Sequence, residues 1–137
     1  GLEFKTELEA QWAAFFDLAG WSWWANPAAI KNWKPDFKVK FNCNHSECGG
    51  YHTLLLTVLP MNSIEQFKNH PCLSNNYRVE NEKGECVADG GAAFGVNPSV
   101  SQWEISHGSG GGLENIDFRV PNANELWNKA KNLINKR

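Results

Sequence analysis

The residues Phe37-Lys38-Val39-Lys40-Phe41 alternate apolar and basic side chains without a break. A period of two puts the rings and the valine on one face and both ammoniums on the other, which predicts a strand with one dry and one wet face. A polar loop from Asn42 to Tyr51 follows and leads into His52-Thr53-Leu54-Leu55-Leu56-Thr57-Val58-Leu59. The continuous apolar character of that run predicts a central strand covered on both sides. The two segments pair as a hairpin, so the fold is built around a sheet and the rest of the chain must cover it.

Leu8, Trp12, Phe15 and Ala19 recur at helical spacing, and Thr6 followed by Glu9 fits a capping box. This predicts an amphipathic helix from about Thr6 to Ala19, ended by Gly20. Trp21 to Trp24 reads as a short strand stopped by Asn26-Pro27, and Asn62 to Lys68, with Ile64 and Phe67 three apart, as a short helix. Tyr77 to Val87 is polar with a turn at Gly84-Glu85, and Val100 to Ser106 is a further strand. A last helix from Asn124 to Lys136 is expected to bury Leu126, Trp127, Ala130, Leu133 and Ile134. That order predicts a mixed α/β or α+β domain, a small mixed central sheet flanked by helices. The 137 residues suit one domain spanning 1–137, and seven Trp and eight Phe supply apolar bulk for its core. Gly1-Leu2-Glu3-Phe4 reads as a processed end or a cloning remnant.

A formal charge of −2 provides no global field for nucleic acid or anionic lipid, so any such contact falls to a local patch. Lys31, Lys34, Lys38 and Lys40 form one within ten residues. They either contact phosphates or protect an exposed strand edge, a common duty of lysine. The longest uncharged apolar run, Leu54 to Pro60, is far shorter than the roughly 18–20 residues of a membrane span. A cytoplasmic protein with no membrane partner is expected.

Glu9 within Leu8-Glu9-Ala10-Gln11-Trp12, then Pro35-Asp36-Phe37, the central strand Leu54 to Pro60, and Ile64-Glu65-Gln66-Phe67 follow one another along residues 5 to 72. In this the chain resembles the phage and prophage nuclease-like proteins of the PD-(D/E)xK superfamily, with weaker similarity at Phe94-Gly95-Val96-Asn97-Pro98 and Trp103-Glu104. The family shows an early helix with Glu, a Pro-Asp at a hairpin strand, Glu-x-Lys on the next strand and a helix with Gln. The resemblance implies a restriction-endonuclease-like fold, a phage or mobile-element origin, DNA as partner and a Mg²⁺ site. Carboxylates suit that hard cation, and a nearby lysine stabilises charge or helps activate water.

The sequence departs from the family at the decisive point, because Thr57 and Leu59 stand where the acid and the lysine of Glu-x-Lys belong. The expectation is a nuclease-like protein that has lost ordinary catalysis and binds DNA through Lys34, Lys38 and Lys40, or binds a host or phage protein. The alternative is a Mg²⁺-dependent endonuclease with a migrated site formed by Glu9, Asp36, Glu65 and Lys68, the last two sharing a helix face. Against it, Glu65 and Lys68 read equally as a solvated face, Glu9 as part of a capping box and Asp36 as a strand end. A third class is an interaction or inhibitor protein whose Trp-rich surface forms a homodimer, with no nucleic-acid role.

Cys43-Asn44-His45-Ser46-Glu47-Cys48, His52 and His70-Pro71-Cys72 hold metal-ligating side chains. Structural zinc takes four N or S ligands in a tetrahedron, and Cys43, Cys48 and Cys72 with one of His45, His52 or His70 meet that demand. The set Cys43, Cys48, His52 and Cys72 is the expected one; unligated buried thiols and a disulfide are its rivals. His107 to Gly112 lacks the Gly-Lys-Ser/Thr ending of a phosphate-binding loop and reads as a turn. Trp21, Trp23, Trp24 and Trp33 either stack the bases of a single strand or fill a core or subunit interface.

Overall fold

A computed structural model describes residues 6–30, 33–42, 50–67, 70–74, 79–107 and 110–135. Helix α1 (Glu7–Ala19) starts where the capping pattern places it, with Thr6 Oγ1 accepting from Glu9 N at 3.1 Å. It ends at Gly20, whose φ of 79° is a left-handed conformation that a side chain would oppose.

Strands β1 (Ser22–Ala25), β2 (Phe37–Asn42) and β3 (Tyr51–Val58) then form an antiparallel meander. The chain crosses over through two 3-10 turns, Ile64–Phe67 and Pro71–Ser74, and a small hairpin of β4 (Val79–Glu80) and β5 (Cys86–Ala88). It returns as β6 (Gly90–Phe94), parallel to β3, and continues antiparallel through β7 (Ser101–His107) and β8 (Gly110–Glu114). The result is a six-stranded mixed sheet of order β1-β2-β3-β6-β7-β8, followed by α2 (Ile116–Arg119) and α3 (Ala123–Asn135). The domain is α+β, with a mixed central sheet as expected.

Alternation sorts the core into two clusters on opposite faces of the sheet. Phe37, Val39, Phe41, Leu54, Leu56 and Phe94 point toward α1 and α3 and meet Trp12, Phe15, Phe16, Leu126 and Ala130. Leu55 and Ala93 point the other way and meet Ile30, Trp33, Phe67, Cys72, Val79 and Ala88. Both long helices therefore lie on one face, and the 3-10 turns with the small hairpin cover the other.

Three expectations change in detail. The short helix expected at Asn62 to Lys68 is a 3-10 turn, because Gln66 Oε1 accepts from the backbone of Asn62 (2.9 Å) and Ser63 (3.1 Å) and tightens the bend. The glycine-rich segment after His107 contains strand β8, whose Gly110 pairs with His107. On α3 the buried stripe ends at Ala130: Leu133 is 48% exposed and Ile134 half-buried, so the last turn stands beyond the core.

Candidate functional site

Asp36 sits one residue before β2, and its amide donates to Leu56 O at 2.8 Å. Phe37 pairs with Leu56, so the same antiparallel register sets Asp36 across from Thr57. One Asp36 carboxylate oxygen, Oδ2, accepts from Val58 N at 2.8 Å, and the residue is 8% exposed. Thr57 is equally buried, and its hydroxyl accepts from the Trp33 indole at 2.7 Å. The position where the resemblance would put a metal-binding carboxylate thus holds a neutral oxygen engaged with an indole. Leu59 is packed against the second core cluster.

Glu9 lies buried on α1, one turn before Trp12, whose indole donates to Gly95 O at 2.8 Å just past β6. Val58 pairs with Phe94, so Glu9 and Asp36 mark the same end of the sheet. They reach it from opposite faces, Glu9 from the helix layer and Asp36 from the side of Trp33 and Thr57. Glu65 is exposed on its 3-10 turn and lines a shallow cleft of about 240 Å³ with Ile64, Leu73 and Gln102. Its intended companion Lys68 lies outside the described residues. Among the described residues, no three His, Cys, Asp or Glu side chains come together to hold a metal. Mg²⁺ takes oxygen ligands in near-ideal octahedral geometry, and the described groups around Thr57 do not fit it.

The two described members of the expected zinc set are also separated. His52 shares the parity of Leu54 and Leu56 and packs its ring 5.9 Å from Phe41 on the helix side, with Nδ1 3.5 Å from Asp89 Oδ2. Cys72 belongs to the cluster on the other face. Of the set Cys43, Cys48, His52 and Cys72, the two described members therefore pack in different clusters; Cys43, His45 and Cys48 lie outside the described residues. The histidine beside Cys72 is His70, whose Nδ1 is 3.0 Å from Sγ and accepts from Cys72 N at 3.1 Å.

Burial pushes the Cys72 thiol up to about 12. Burial also lowers His70, and the Asp36 carboxylate pulls it partly back. Both groups are therefore neutral near pH 7, an arrangement that suppresses thiolate chemistry. Iodoacetamide labelling of the native protein, read by peptide mass mapping, is expected to modify exposed Cys86 and spare Cys72. Rapid labelling of Cys72 would contradict its burial.

The lysine strand presents a second constellation. Lys38 and Lys40 project from the face of β2 opposite Phe37, Val39 and Phe41, while Lys34 is exposed just upstream. Across the sheet Lys38 faces Trp24 on β1, and Lys40 faces Ser22 on β1 and Thr53 on β3. The Lys40 ammonium sits 4.1 Å from the centre of the Tyr51 ring, a cation–π contact. Beside them, Lys38, Tyr51, Thr53 and the segment Cys86 to Asp89 line a cleft of about 390 Å³.

The tryptophans divide by burial. Trp21 and Trp33 are buried and Trp23 is half-buried, its indole donating to Asp17 at 2.8 Å, but Trp24 is 51% exposed. Tyr51, Trp24 and Asp89 are residues of this face that pattern reading did not single out as a group. Tyr51 had a signal, since it shares parity with Thr53 and Leu55 on β3.

Fold and site together define an α+β protein with a lysine-and-aromatic sheet face beside a buried Asp–Thr pair. No family model, curated protein or solved structure matches the chain. No helix among the described residues is long and apolar enough to cross a membrane.

Proposed function

We propose that this chain is a nuclease-like protein of phage or mobile-element origin that has lost ordinary cleavage and binds nucleic acid through the β2 face. The carrying observation is Thr57, a buried hydroxyl bonded to Trp33 directly across from Asp36. The resemblance asks for an acid there and for a lysine where Leu59 stands. Removing a preorganised contact to developing charge costs about 3–4 kcal/mol in transition-state stabilisation, two to three orders of magnitude in rate. Here a metal ligand and an ammonium are both missing.

Further support comes from element order. An early helix carries Glu9, Pro35-Asp36 enters a hairpin strand, the next strand is central, and a turn with Gln66 follows. Binding falls to Lys34, Lys38 and Lys40, of which Lys38 and Lys40 project from one side of β2 and Lys34 lies exposed just upstream. With an overall charge of −2, attraction is local and its salt dependence reports on these few cations.

The test has two arms. Plasmid, linear and single-stranded DNA incubated with the protein in Mg²⁺ or Mn²⁺ are expected to stay intact; products abolished by Asp36→Ala would overturn the loss of catalysis. DNA affinity is expected to fall with added salt, and the double variant Lys38→Gln/Lys40→Gln is expected to flatten the log–log slope by roughly 1.4 to 1.8, two phosphate contacts' worth. Salt-independent binding, or a slope unchanged in that variant, would remove these lysines from the interface.

A further inference from the structure

We infer that the ligand of this face is single-stranded rather than duplex nucleic acid, with bases stacked on Trp24 and Tyr51 and one base turned into the cleft beside Asp89. The inference rests on the nucleic-acid reading above and narrows it to one class of strand.

The large apolar side chains exposed among the described residues are Leu18, Trp24, Tyr51, Ile64 and Leu133, and the two aromatic ones both lie on this face. Their placement follows from the register. Trp24 is the cross-strand partner of Lys38, and Tyr51 lies under the ammonium of Lys40. The surface therefore reads ring, ammonium, ammonium, ring, with the two lysines two residues apart on β2, about 6.7 Å. A single strand carries charge on its backbone and has free π-faces on its bases, so each ring can take a base while the lysines take phosphates. In a duplex the base faces are stacked on one another, and two exposed rings on a sheet have nothing to stack against.

The cleft sharpens the distinction. Its wall is β5 and the turn to β6, its floor is β2 and β3, and at its edge Asp89 accepts from Thr53 N at 2.8 Å while its side chain stays 40% exposed. A carboxylate repels phosphate but accepts hydrogen bonds from the amino and imino groups of a base edge. With Lys38 on the floor of the same cleft, the backbone is held at the cleft mouth and a base is directed inward. Such an edge is exposed without further cost only in an unpaired strand.

The discriminating experiment measures binding by fluorescence anisotropy with a mixed-sequence oligonucleotide of roughly 16 nucleotides, single-stranded and as its blunt duplex. The single strand is expected to bind at least roughly tenfold tighter. Trp24→Ala and Tyr51→Ala are each expected to weaken it by about five- to a hundredfold while leaving duplex affinity and the melting temperature unchanged, and Tyr51→Phe is expected to retain binding. Equal or tighter duplex binding, or undiminished single-strand affinity in both alanine variants, would overturn the inference and leave the nucleic-acid reading standing. Binding of neither form would overturn both.

Discussion

Trp12→Ala is expected to leave little folded protein at ambient temperature. Trp12 is fully buried and its ring joins three elements, with centroids 5.2 Å from Phe15 on the same helix, 4.6 Å from Phe94 on β6 and 4.4 Å from Trp127 on α3. Truncating a core tryptophan costs about 3–5 kcal/mol, because transfer free energy is lost and a cavity remains. The same change leaves Gly95 O without its indole donor, a further cost of about 1–3 kcal/mol for a buried acceptor. A domain of this size is stable by only about 5–15 kcal/mol in total. Trp12→Phe keeps part of the ring packing and is expected to fold with a lowered urea midpoint. Leu133→Ala, at a 48% exposed position, is expected to stay within about 0.5 kcal/mol of the parent. Urea titration followed by far-UV circular dichroism separates the three. A Trp12→Ala midpoint close to that of the parent would mean that α1 is not clamped between β6 and α3 as described.

Those contacts also show which parts of the structure are legible in the sequence. Helix α1 is legible because its signals are local: apolar spacing, the threonine cap and the terminal glycine all lie within one segment. Strands β2 and β3 are legible for the same reason, and the strict alternation of Phe37 to Phe41 correctly separates the lysine face from the core. Strand β6 is not. Gly90-Gly91-Ala92-Ala93-Phe94 has no β-branched residue, and four of its five residues are glycine or alanine, types depleted in strands. All five are buried, and the carbonyl of Cys72 occupies the space that a Cβ on Gly91 would need. The small residue is dictated by a contact nineteen positions away in the chain, which no window of β6 alone contains.

The candidate site divides along the same line. Pro35-Asp36 at a strand mouth can be read from the sequence, but the Trp33–Thr57 bond depends on Ile30 and Trp33 packing in one cluster with Leu55 of β3. Parity on β3 was sufficient to put His52 with Leu54 and Leu56. That Cys72 belongs to the other cluster depends on the path of the crossover, which only the three-dimensional arrangement reveals.

Placing at position 57 the acid that the proposed nuclease ancestry calls for is the sharpest probe of this arrangement. Thr57→Glu puts a carboxyl group at a position 6% exposed, across from Asp36. The Trp33 indole still finds an acceptor, but one N–H does not offset a buried charge facing a like charge, and a loss of about 3–5 kcal/mol is expected at neutral pH. Desolvation and the neighbouring carboxylate both raise the folded-state pKa of the introduced acid above its unfolded value near 4.3. Between those two values the native state binds more protons than the unfolded one, so stability falls as pH rises. The penalty is therefore absent below about pH 4, grows through the folded pKa and is complete above it. Added Mn²⁺ or Mg²⁺ is expected to recover part of the loss, since an ion bound only by the folded state stabilises it in proportion to the logarithm of its concentration. The parent protein is expected to show no such metal response. Thermal melts of both proteins across pH 4 to 8, with and without Mn²⁺, give the answer directly. A variant as stable as the parent at neutral pH, or one whose melting is indifferent to both protons and metal, would show that position 57 does not face Asp36 in a closed pocket, and the geometric basis for a disarmed nuclease would be gone.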